Sequence, residues 1–254
     1  MSGPHPGRPA RRLGPALLAT GLLLAAALPA AAQTMTVDLG EGGSSTARIV
    51  QLMLLITVLS IAPAILVTVT SFTRIIIVLS FLRNALGIQT TPPNTVLVSL
   101  ALFLTAFVMA PTFQASYDNG ISPLIEEKIG ETDAIERAVA PLHAFMIANV
   151  RAQDLKLFSD IAKLPPVAGP KDVSLRILVP AFMISELRRA FEIGFLLFLP
   201  FLIIDMVVAS ILMSMGMMML PSAMVSLPFK IIFFVLVDGW YLVAGSLVQS
   251  FNPG

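Results

Sequence analysis

The sequence predicts an all-α membrane protein in which two long apolar helical hairpins are separated by a small helical polar domain. Three observations lead there. Apolar residues make up 56% of the 254 positions and charged residues only 12%, where a water-soluble globule carries about a quarter. The mean hydropathy is +0.88, and the apolar residues gather into long runs instead of alternating with polar ones. The charges concentrate between the second and third runs.

The first residues read as an export signal. Arg8, Arg11 and Arg12 form a basic n-region, Leu13 to Leu28 is apolar, and Ala30-Ala31-Ala32 offers a small-residue cleavage site before Gln33. Residues 1–32 are therefore expected to be a signal peptide and 33–48 a flexible, glycine-rich lead-in. Residues 49–110 make the first hairpin. Its first helix spans Ile49 to Leu82 with Arg74 as its only charge, bent near Pro63, and its second spans Val96 to Ala110, stopped by Pro111. Residues 111–180 are the polar domain. There Ser122-Pro123 suits a helix start and Asp133-x-x-Glu136 a capping box. Ile135, Ala138, Val139, Leu142, Phe145, Met146 and Val150 follow at helical spacing, with Pro141 as a kink or a new start. His143 reads as a surface or capping residue, and Pro165 to Pro170 as a linker. Residues 181–251 form the second hairpin, with helices at Ile193 to Leu220 and Leu227 to Val248, and 252–254 a short tail.

If the cleaved N-terminus lies outside, four crossings put both short turns in the cytoplasm. Arg83 and Lys230 lie there, as the positive-inside rule prefers, and the polar domain becomes periplasmic.

Several function classes lose their footing. The formal net charge is +1 without a basic block, so nucleic acid has no electrostatic footprint. With no cysteine and only His5 and His143, thiolate metal sites and cysteine nucleophiles are excluded and imidazole chemistry has little to work with. No phosphate-binding loop or catalytic constellation occurs, so the expectation is a protein that is not an enzyme and needs no cofactor or metal.

Ionisable groups inside apolar helices cost at least about 2.5 kcal/mol each, so they normally find partners or water. Those expected to be buried are Arg74, Asp205, Lys230 and Asp238, with Glu186, Arg188, Arg189 and Glu192 at the entrance to the third helix. Asp205 and Lys230 are equidistant from the Met217–Met218 bond, at the tip of an antiparallel hairpin, so they lie side by side. They pair within one subunit or exchange with a neighbour's partners; a proton or ion relay at Asp205 is the rival reading. Glu186, Arg188, Arg189 and Glu192 read as an ion-pair network or a solvated entrance.

Met213-Ser214-Met215-Gly216-Met217-Met218-Met219-Leu220-Pro221 places five of the 13 methionines in one short stretch at a turn. Methionine is unbranched and polarizable and packs against irregular shapes. A ring of such turns makes a deformable apolar seal; packing filler and copper(I) binding by thioethers are the competing readings.

Several segments resemble the FliP family of flagellar type III secretion export-gate proteins. They are Ser71-Phe72-Thr73-Arg74-Ile75-Ile76-Ile77-Val78-Leu79-Ser80, Gln89-Thr90-Thr91-Pro92-Pro93-Asn94, Ser185-Glu186-Leu187, and Gly194 through Asp205. The methionine turn and Ser226-Leu227-Pro228-Phe229-Lys230 through Val237-Asp238-Gly239-Trp240 complete the set. The resemblance implies a pentamer assembled with FliQ and FliR into a helical funnel in the flagellar basal body. It implies a multi-pass inner-membrane protein lifted partly to the periplasmic side, neighbours such as FlhA, FlhB and rod proteins, and unfolded flagellar subunits as cargo. It also implies a methionine gasket at Met217, Met218 and Met219, with Met213 and Met215 beside it, and an intersubunit ion pair of Asp205 with Lys230. Ser222 stands where the family pattern has a second proline, and Tyr241 where a polar residue is common. The injectisome paralogues are an alternative branch, and an ion-coupled small-molecule transporter using Asp205 an alternative of another class.

Overall fold

The computed structural model describes residues 45–88, 90–163, 169, 172–217 and 221–251. The expected signal peptide, nearly all of the lead-in, most of the Pro165 to Pro170 linker, Met218, Met219 and residues 252–254 lie outside them. Every element among the described residues is helical. They are α1 (Ser45–Val69), α2 (Phe72–Ala85), α3 (Asn94–Ser116), a π-helical turn (Tyr117–Ile121), α4 (Ser122–Ile125), α5 (Glu131–Asn149), α6 (Ala152–Ile161), α7 (Leu175–Ser214), α8 (Ser222–Leu236) and α9 (Gly239–Gln249). The chain divides into two units between Leu54 and Leu55. The first holds, among the described residues, only the opening turns of α1.

Prolines do not end these helices. Pro63, Pro111, Pro141, Pro180, Pro200 and Pro228 all lie inside helices. A proline removes one ladder hydrogen bond and crowds the preceding turn, yet an apolar helix held by neighbours keeps the rest of its ladder. Pro111 was expected to stop its helix, but α3 continues through it to Ser116. The first long helix, expected to run on to Leu82 with a bend near Pro63, is interrupted at Thr70-Ser71. There the Phe72 N–H donates to Thr70 Oγ1 at 3.3 Å and Thr73 Oγ1 donates to the Val67 carbonyl at 3.1 Å. Hydroxyls thus take up backbone groups that the ladder would otherwise use.

The polar region differs in detail from its expected outline. The Ser122 hydroxyl donates to Glu126 Oε1 at 3.2 Å instead of capping a helix, because a π-helical turn already runs into it. Helix α5 begins at Glu131, ahead of the expected capping box, with Glu131 and Asp133 placing negative charge in its first turn. Its packed side carries Ala134, Met146 and Asn149, while Ile135 is 66% exposed. His143 Nε2 lies 2.8 Å from the Val173 carbonyl, holding the segment that leads into α7.

Helix α7 is the spine. It is 40 residues long, roughly 60 Å at 1.5 Å per residue, and runs unbroken across position 180. Ser174 caps its start by accepting from the Arg176 N–H. Helices α2, α5, α6 and α8 pack against it. The main core gathers α2 (Ile75, Val78, Leu79, Leu82), α3 (Leu97, Ala101), α7 (Ala190, Phe201), α8 (Phe234) and α9 (Val243, Leu247). A smaller core of Met146, Val173, Leu178 and Phe182 joins α5 to the start of α7.

Helices α2 and α7 approach closely at Gly194, where a Cβ would stand 2.6 Å from Phe81 Cδ2 and 2.8 Å from its Cγ. The inner part of that ring has little freedom to retreat, since Phe81 also makes an edge contact with Phe191 at 5.0 Å. Gly194→Ala is expected to destabilise the chain by about 1–3 kcal/mol through overpacking, and Phe81→Leu should recover part of the loss. Unfolding in detergent, followed for the single and double variants, measures both.

Candidate functional site

Arg74 projects from the first turn of α2 into the bundle and has 0% exposure. Its Nε donates to Glu186 Oε2 at 2.7 Å and its Nη2 to Glu186 Oε1 at 2.5 Å, a bidentate fork from α2 to α7. Its Nη1 donates to the Ser250 carbonyl at 3.0 Å and to Ser250 Oγ at 2.9 Å. The Phe251 ring lies beneath the guanidinium, 3.6 Å from Cζ to centroid. A charge of this kind survives in an apolar interior because its N–H groups are met by acceptors and its flat face by a π-system.

The contacts close into a ring. Phe251 stacks on Phe145 of α5 at 6.1 Å, and Phe145 meets Phe182 of α7 edge-on at 6.0 Å. Phe182 lies one helical turn before Glu186, on the same face of α7. One turn of α7 therefore anchors α2, α5 and the C-terminal end together. Beside it, Ser185 Oγ is within hydrogen-bonding distance of Asp154 Oδ2 (2.7 Å) and accepts from the Arg151 N–H (3.0 Å), which fastens α6 to the same place.

A second node pins the other end of α2. Lys230 Nζ lies 2.6 Å from Asp205 Oδ2 and donates to the Ala85 carbonyl at 3.0 Å. Ser226, one turn before Lys230, donates to Asp205 Oδ1 at 2.5 Å. Ala85 is the last residue of α2, so the ammonium satisfies a carbonyl that the helix end leaves open. The structure holds Asp205 and Lys230 together within one chain.

The remaining charges fall elsewhere. Arg188 and Glu192 pair at 2.9 Å with side chains 57% and 58% exposed, an i,i+4 pair on an open helix face instead of a buried network. Arg189 is partly exposed. Asp238 is exposed and does not sit inside a continuous helix. It adopts a left-handed conformation (φ 51°, ψ 53°), where α8 turns into α9 through 64°. Aspartate is among the few residues that accept that conformation, and the Asp238-Gly239 pair was its sequence signal.

At the methionine stretch α7 ends in a Schellman closure. The Met217 N–H donates to the Leu212 carbonyl and the Gly216 N–H to the Met213 carbonyl, with Gly216 at φ +75°, the geometry that favours glycine. Helix α8 then starts at Ser222, with Pro221 just before it. Met213, Met215 and Met217 are 56%, 66% and 41% exposed; their neighbours Met218 and Met219 lie outside the described residues.

Sequence reasoning placed Asp205 beside Lys230 but found no partner for Arg74. Glu186 lies 112 positions away and Ser250 176, and no spacing rule links them. Ser226 carried a signal, since it precedes Lys230 by one turn.

Three helices are long and apolar enough to cross a membrane, or four if the bent α8–α9 pair makes one span. Among the described residues no group of three or more His, Asp or Glu is placed to hold a metal. Fold and site together define a helical membrane-type protein whose buried charges join helices to one another. A model of the FliP family matches residues 55–247. The flagellar biosynthetic protein FliP of Caulobacter vibrioides is 57% identical over 94% of this chain and 89% of its own. Those of Rhizobium meliloti (53% identical; 91% of this chain, 94% of its own) and Bacillus subtilis (57%; 83% and 94%) are similar. The chain belongs to the FliP family.

Removing one partner of the buried fork strands the other charge. Glu186→Ala is expected to cost about 3–5 kcal/mol, whereas Glu192→Ala, on the open face of the same helix, costs less than about 1 kcal/mol. The yield of folded protein and its unfolding midpoint in detergent measure the contrast.

Proposed function

We propose that the chain is a structural subunit of the flagellar type III protein export gate, lining the channel through which unfolded flagellar subunits leave the cell. The observation that carries this reading is the methionine turn. A Schellman closure ends a 40-residue helix, and soft side chains lie exposed around the tip. Relatives named flagellar biosynthetic protein FliP, 57% identical across most of the chain, support the flagellar assignment over the injectisome branch. Several copies arranged about a common axis bring their turns together, and Met217, Met218 and Met219, with Met213 and Met215 beside them, form a gasket. Thioether chains yield to a passing polypeptide and close again behind it.

In this reading the exported chain sits in the inner membrane within the basal body, as a pentamer with FliQ and FliR. FlhA, FlhB and rod proteins are its neighbours, and the assembly lies partly on the periplasmic side. Asp205 and Lys230, paired within one chain here, exchange partners with adjacent copies when the ring closes. Their mutual neutralisation, with Ser226 on the carboxylate, favours a packing role over ion coupling. The chain acts as a structural element, and the driving energy comes from other components.

Replacing Met217, Met218 and Met219 together with alanine is expected to leave the complex assembled and to make the resting channel leak ions. Conductance of membranes holding the assembled variant tests this; a tight seal with normal export removes the gasket.

A further inference from the structure

The ring around Arg74 is completed from the far end of the chain. Ser250 and Phe251 follow α9 directly, and both are tied back to it: the Ser250 N–H donates to the Ser246 carbonyl at 2.9 Å and the Phe251 N–H to the Val248 carbonyl at 3.2 Å. Leu247 is 0% exposed and Phe251 6%, so this end is embedded in the core. Glu186 satisfies Arg74 Nε and Nη2. What Glu186 leaves open, Nη1 and one face of the guanidinium, is met by Ser250 and by the Phe251 ring. The same ring carries the contact to Phe145 of α5. A chain lacking these two residues keeps a buried cation with an unpaired donor and an uncovered face, and burial of an unpaired polar group is costly.

We propose that Ser250-Phe251 is a C-terminal latch. It makes the native packing of α2, α5 and α7, and therefore assembly with other copies, conditional on the segment after α9 being present and packed against Arg74. Helices α2 and α7 meet through the Arg74–Glu186 fork, but the fork becomes stable in an apolar setting only when the last turn arrives. A prematurely ended or C-terminally trimmed chain stays loosely packed and available to proteolysis, and does not enter the assembly.

The test uses the full chain expressed with its partner proteins in membranes. A stop after Gln249 is expected to lower the protease-resistant, assembled chain about tenfold, the equivalent of one unmet polar group on a buried charge, whereas a stop after Phe251 leaves it unchanged. In an Arg74→Leu/Glu186→Leu background no cation needs covering, and the stop after Gln249 should cost several-fold less than in the wild-type background, only the packing of Phe251 being lost. An equal loss in both backgrounds, or no loss in either, overturns the latch. Should the double variant fail to fold, the wild-type complex supplies the answer. Digestion with a carboxypeptidase able to pass proline should halt before it removes Phe251. Removal of Phe251 and Ser250 from a complex that stays assembled also overturns it.

Discussion

A guanidinium with no exposed surface, inside a bundle built mostly of leucine, isoleucine, valine and phenylalanine, dictates what its surroundings contain. Arg74 needs a carboxylate fork, further acceptors and a π-face, and the chain supplies them from two places: Glu186 on α7, and Ser250 with Phe251 after α9. Because these contributors are far apart in sequence, satisfying one charge aligns helices that no local preference would bring together. The apolar core then fills the space between them. A buried pair of this kind adds little net stability relative to well-packed apolar residues, but it penalises every arrangement in which a partner is missing. It selects one packing over near alternatives.

The second node complements the first along α2. Arg74 holds its start and Lys230 its final carbonyl, while Glu186 and Asp205, both on α7, receive the two cations. They stand nineteen residues apart, roughly 28 Å along the helix. Helix α2 is thus fastened near both ends to one long spine. Outside this framework the chain presents much apolar surface: only 28% of the apolar window in Asn94–Ile125 and 11% of that in Leu175–Ser214 is buried. Surface of this extent needs lipid or other protein to cover it. The internal charges meet their partners within the chain, and the uncovered faces are left for neighbours.

Some of this was legible in the sequence and some was not, for identifiable reasons. Composition and run length pointed to an all-helical membrane-type chain because the bilayer imposes both. The meeting of Asp205 with Lys230 followed from symmetry about the turn, since antiparallel neighbours keep equal distances from their tip. The proline stop misled at Pro111, through which α3 continues to Ser116, and the interruption of the first long helix lies at Thr70-Ser71, where threonine hydroxyls take up backbone groups. Charge type misled as well: Glu186 and Glu192 are chemically identical and six residues apart, yet one is fully buried and the other open. The partner of Arg74 was unreadable because it is fixed by three-dimensional closure alone.

The proposed gate role makes these helices faces of a shared structure and not a self-sufficient transporter. The mass of the intact complex, extracted gently with its partner proteins and weighed under native conditions, tests this most directly. Several copies of the chain in one particle, together with its partner proteins, are the expected result. A stable particle containing a single copy, surrounded only by lipid or detergent, contradicts it.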